Sequence, residues 1–182
     1  RKSIIMSGLG NLIIGCVGVT IAALSASEAI MLDGVFNLIY VSTGLFTLKV
    51  SRMIRQADDA QFPYGYAFFE PLVNLVKGVL VFGVSIMALI GAIEALAAGG
   101  RPIVAGLATA YGVFATVACW VLALVTRLWA SKTGSPLLKA DAENWTVNAA
   151  ISSAVLLAFI GVIVLNASPF KAWSPFVDPT LV

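Results

Sequence analysis

Histidine is absent from the 182 residues, only 11% of them are charged, and there are just two cysteines. Without histidine the chain lacks the commonest zinc ligand and the usual proton carrier near neutral pH. Cys16 and Cys119 each lie in an apolar run with no metal-type spacing. They read as small buried hydrophobes rather than as a disulfide or a ligand pair. A soluble domain carries about 25% charged residues. This chain is 60% hydrophobic with a mean hydropathy of +0.99 and cannot cover itself with polar surface, so it reads as an integral membrane protein. A net charge of +2 without any long Lys/Arg cluster argues against nucleic acid as a partner. No nucleophile–base pair, glycine-rich phosphate loop or HExxH is present, so neither an enzyme nor an organic cofactor is expected.

What the chain does have is apolar length. A membrane span takes about 20 mainly apolar residues, and five stretches qualify: about 4–23, 29–50, 68–98, 103–130 and 137–165. A sixth segment begins at about residue 175, and both chain ends look cut, so residues 1–182 read as one transmembrane domain with five complete spans and a sixth only begun. Pro63, Pro102 and Pro136 sit where helices are about to start. Arg1, Lys2, Lys49, Arg52, Arg55, Arg127, Lys132 and Lys139 fall on one side of the membrane, against Arg101 and Lys171 on the other. That bias predicts a cytoplasmic amino terminus in a plasma (inner) membrane.

Against this background the few polar residues inside the spans stand out, because an ionisable group near the bilayer centre costs about 2.5–3.5 kcal/mol on insertion scales. In span two, within SEAIMLDGVFN, Asp33 and Asn37 are four apart and share a helix face. In span five, within DAENWTVN, Asp141, Asn144 and Asn148 form a stripe that Ser152 continues. Two such ladders can enclose a cation at mid-membrane. The plainer alternatives are an interfacial, hydrated Asp33 and a span-five ladder that is interhelical glue. Span three carries Glu70, Asn74 and Lys77. Either Lys77 pairs with an acid, such as Glu70 through Asn74, or it reaches a water-filled cavity. Glu94 and Glu143 are expected to be solvated.

Three pieces together, SEAIMLDGVFN, FPYGYAFFEP and LLKADAENWTVN, resemble the cation diffusion facilitator family of metal-ion transporters. The resemblance covers essentially the whole chain. It implies a bundle of six transmembrane helices that works as a homodimer and exchanges a divalent cation for protons. The family's transport site is an Asp-xxx-Asp pair in helix two and a His-xxx-Asp pair in helix five. Carried over, the first aspartate is Asp33, the second is Asn37, the histidine is Asn144 and the last aspartate is Asn148. Three of the four ligands are changed, and the family's loop histidines become Phe62 and Tyr66. Amides in place of carboxylates and imidazole favour harder ions such as Mn²⁺ or Mg²⁺ over Zn²⁺. Asp141 is a further candidate ligand if the ion sits nearer the cytoplasm. The expected function is therefore secondary active efflux of a divalent cation, with protons competing for Asp33. The alternative is a transport-incompetent relative that serves as an assembly or regulatory partner.

Overall fold

The computed structural model describes residues 2–53, 68–134 and 136–182. Among these, every regular element is helical: α1 Lys2–Ser25, α2 Glu28–Met53, α3 Phe69–Ala97, α4 Ala105–Thr133 and α5 Pro136–Asn166. A 3₁₀ segment, Lys171–Phe176, then leads into the short α6, Val177–Leu181. The first five are long and apolar enough to span a membrane. The fold is thus an all-α membrane bundle of six helices with five spans, and the reason is chemical. Hydrocarbon offers backbone N–H and C=O groups no partner, so a spanning chain must satisfy them internally. The loop bearing Phe62, Pro63 and Tyr66 and the side chain of Glu70 lie outside the described residues.

Lipid is as apolar as leucine, so burying leucine between membrane helices gains little, and close van der Waals packing of small residues decides the interfaces. The contact face of α4 follows this rule, with Ala108, Gly112, Ala115, Cys119, Ala123 and Thr126 buried at helical spacing. It packs on α5, where Ala142, Trp145, Ala149, Phe159 and Val162 are buried, and also on α1. α1 in turn packs on α2 where two glycines meet. A Cβ on Gly34 would stand 2.7 Å from the backbone nitrogen of Val19, and one on Gly18 2.9 Å from the Gly34 Cα. α3 joins the bundle through α2 and α6, leaving Leu75, Val79, Phe82 and Met87 exposed on its outer face, where lipid would cover them. Cys119 is buried as expected, but Cys16 is exposed. In a membrane helix apolar character marks the lipid face as readily as the core, so hydropathy could not separate the two cysteines.

At the end of the bundle where α2 begins, a polar cluster ties four chain segments together. Ser27 caps α2 by accepting the Ile30 N–H at 3.2 Å. Its hydroxyl donates to Asp178 Oδ1 at 2.5 Å, and the Glu28 N–H donates to Asp178 Oδ2 at 3.0 Å. Arg101, in the α3–α4 connection, pairs with Glu28 and lies 3.7 Å from Asp178 Oδ2. Its backbone N–H donates to the Pro175 carbonyl at 2.7 Å. Gly100 has φ +95°, and a Cβ there would come within 2.7 Å of Pro175 backbone atoms, so glycine is required on both counts. Asp178, at 0% exposure, holds the α6 opening onto the α2 N-terminus.

Asp178→Ala strips the acceptor from two buried donors, each worth about 1–3 kcal/mol. The expected result is a melting temperature in detergent several degrees below that of the parent protein, with Asp178→Asn, which keeps one oxygen acceptor, in between. Equal melting of all three would show that the cluster is not holding this end together.

Candidate cation site

α2 packs on α1 and α3 while α5 packs on α4, and the two ladder-bearing helices face each other across a cavity. It measures about 260 Å³ and is lined by Asp33, Asn37 and Tyr40 of α2, Tyr111 and Ala115 of α4, Asn148 and Ser152 of α5, and Leu181 of α6. Asp33, Asn37 and Asn148 therefore share one space. Asn144 and Asp141 do not line it. They line a second cavity of about 440 Å³, displaced toward the α5 N-terminus, with Asn11, Thr43, Asn74 and Lys77. Tyr40, Asn148 and Ile151 belong to both linings, so Asn148 is the side chain through which the two halves of the span-five ladder connect.

Helical geometry explains the split. Asp33 lies five residues into α2, and Asn148 lies twelve residues into the oppositely running α5. Asn144 and Asp141 precede Asn148 by four and seven residues, so at 1.5 Å per residue they sit about 6 and 10 Å further along the axis, away from Asp33. Glu143 and Glu94 are both exposed.

The Asp33 carboxylate is held at both oxygens. The Tyr111 hydroxyl donates to Oδ2 at 2.5 Å, and the Asn37 amide donates to Oδ1 at 3.3 Å and to the Asp33 carbonyl at 2.8 Å. The glycine contact between α1 and α2 makes the tyrosine bond possible, because a Cβ on Gly18 would meet the Tyr111 hydroxyl at 2.7 Å. Asn37 Oδ1 is buried and, among the described residues, accepts no hydrogen bond. A buried amide oxygen without a donor, next to a carboxylate and a cavity, is an arrangement suited to a hard cation. Asp141 is held separately: Ser7 donates to its Oδ2 at 2.6 Å and in turn accepts from the Trp145 indole N–H at 3.0 Å.

No group of three or more His, Cys, Asp and Glu able to hold a metal ion occurs among the described residues. Any cation here would be met by one carboxylate with amide and hydroxyl oxygens, not by the closed nitrogen and sulfur set of a structural zinc site. Tyr111 was not visible as a site residue from the sequence. Its one signal is a bulky hydroxyl-bearing ring at the start of an otherwise small-residue stripe.

Fold and cavity together define an integral membrane protein whose helices surround a largely apolar chamber lined at a few points by Asp33, Asn37 and Asn148. The chain matches the cation efflux transmembrane domain over residues 4–182 and belongs to that family, the cation diffusion facilitators, which are transporters of metal cations. It is 24% identical over 162 residues to the magnetosome protein MamM of Paramagnetospirillum magneticum, covering 88% of this chain and 49% of that one. It is 29% identical over 181 residues to the uncharacterized transporter YdbO of Bacillus subtilis, covering 98% and 59%. A third relative, the uncharacterized transporter MJ0449 of Methanocaldococcus jannaschii, is 23% identical over 160 residues, covering 88% and 56%. The chain thus spans about half to three fifths of the length of these relatives.

Tyr111→Phe keeps the ring and removes the donor to Asp33. Loss of a hydrogen bond to a charged group costs about 1.5–3 kcal/mol, read as a lowered melting temperature in detergent. Unchanged melting would mean that the hydroxyl does not hold the carboxylate.

Proposed function

We propose that residues 1–182 form the transmembrane domain of a secondary transporter that exports a divalent cation by proton antiport. The observation that carries this reading is the single cavity shared by Asp33, Asn37 and Asn148 from two facing helices. The end bearing Lys49, Lys132 and Lys139 is cytoplasmic in a plasma (inner) membrane, and the cation enters from there through the larger cavity past Asp141 and Asn144. It moves to the smaller cavity by way of Asn148. The opposite end is closed by the Asp178 cluster, which must part to release the ion outward.

At Asp33, arrival of a cation changes the partners of a carboxylate already held by two donors. Turning the Asn37 carboxamide over exchanges its NH₂ for the orphan Oδ1 and converts a donor into a second ligand. Asn148 and Ser152 supply further oxygens, and water completes the shell. A set of neutral oxygens around one acid favours Mn²⁺ or Mg²⁺ over Zn²⁺. A proton and the cation compete for the same carboxylate, so protonation of Asp33 releases the ion and supplies the antiport. The working unit is a homodimer, as the family resemblance implies.

Equilibrium binding of Mn²⁺, Mg²⁺ and Zn²⁺ to purified protein, with transport in proteoliposomes under a pH gradient, tests this. Asp33→Asn should abolish saturable binding and pH-driven transport. Asn37→Asp, which adds a second charge beside the first, should tighten Mn²⁺ binding by about tenfold or more. Undiminished, pH-sensitive transport by the Asp33→Asn protein would refute the assignment. Failure of the parent protein to bind any of the three ions would favour a non-transporting assembly role.

A further inference from the structure

Lys77 lines the larger cavity but is not among the candidate cation ligands. It lies six residues past the start of the 27-residue span Pro71–Ala97, about 9 Å along the helix at 1.5 Å per residue. The side chain of Glu70, the acid expected to pair with it, lies outside the described residues, and neither ion pair among the described residues includes Lys77. Its ammonium sits 4.3 Å from the centroid of the Tyr40 ring. It lines the larger cavity together with Asp141, Asn144 and Asn148, and Tyr40 also lines the Asp33 cavity. A fixed positive charge in the path of a divalent cation works against cation binding. An intramembrane lysine is costly in its own right.

We propose that Lys77 is a tethered cation that competes with the cargo for the polar cavity. With the ion absent, its ammonium rests on the Tyr40 ring and compensates the charge of Asp141 and, further along, of Asp33. An arriving divalent cation displaces it, and when the ion leaves, the ammonium returns. The four-carbon stem gives the head group several ångströms of travel, and the aromatic face offers a desolvated cation a resting place. Lys77 thereby sets the affinity of the site and keeps the emptied cavity from holding its cargo too tightly. This role rests on the transport reading above.

The test compares Mn²⁺ affinity by titration calorimetry for the parent protein, Lys77→Gln and Lys77→Arg, all as full chains in detergent. Lys77→Gln should bind about tenfold more tightly, and Lys77→Arg should stay within about threefold of the parent. In proteoliposomes Lys77→Gln should show a lower KM and a lower kcat together. Equal or weaker Mn²⁺ binding by Lys77→Gln would overturn the proposal and leave Lys77 as a strut against Tyr40. Should Lys77→Gln fail to fold, the reactivity of Lys77 in the parent protein toward an amine-acylating reagent, read by mass spectrometry, decides instead. Saturating Mn²⁺ should change that rate several-fold, and an identical rate overturns the proposal. Absence of Mn²⁺ binding by the parent protein is a different failure, because it removes the transport reading itself.

Discussion

The hydrogen bond from Tyr111 to Asp33 is the interaction on which the rest of the arrangement depends. A carboxylate within a membrane span is tolerated only when something compensates its charge, and here a hydroxyl from α4 and an amide from α2 do so. That compensation requires α1 to let the tyrosine through, and Gly18 does so by having no side chain. The same glycine meets Gly34, the residue next to Asp33, so one close approach of α1 to α2 fixes both the backbone and the partner of the acid. Packing and electrostatics are a single constraint at this point.

The bundle is asymmetric along the membrane normal. One end is drawn together by Ser27, Glu28, Arg101 and Asp178, with Asp178 capping α2 from the opening of α6. Toward the other end lies the larger, more polar chamber, with Asp141 positioned by Ser7 and Trp145. Leu181 lines the smaller chamber, so the short helix that Asp178 ties to α2 also helps shape the space around Asp33.

Much of the scaffold was legible in the sequence, because span length and lack of charge are dictated by the thickness and dryness of the bilayer. All five long helices begin and end within about three residues of the expected bounds. The Asp33–Asn37 pair was legible as well, since i, i+4 spacing guarantees a shared face whatever the helix packs against. Less was legible on α5. Its stripe is continuous in sequence, yet Asn148 reaches the Asp33 cavity while Asn144 and Asp141 line the other one.

What the sequence determined by itself is therefore the one-dimensional part: five crossings, a lone acid in span two with Asn37 on its face, and a stripe of Asp141, Asn144 and Asn148 along span five. Tertiary structure decided what meets what. The heights at which α2 and α5 pass each other chose Asn148 over Asn144. The glycine contact of α1 with α2 admitted Tyr111. The closure of α6 on α2 recruited Asp178. Each of these depends on distances between segments far apart in the chain, and local periodicity carries no information about those distances. Lys77 shows the same limit: its spacing placed it on a line with Asn74 and Glu70, but only the packing of α3 on α2 brought it to Tyr40 and the cavity.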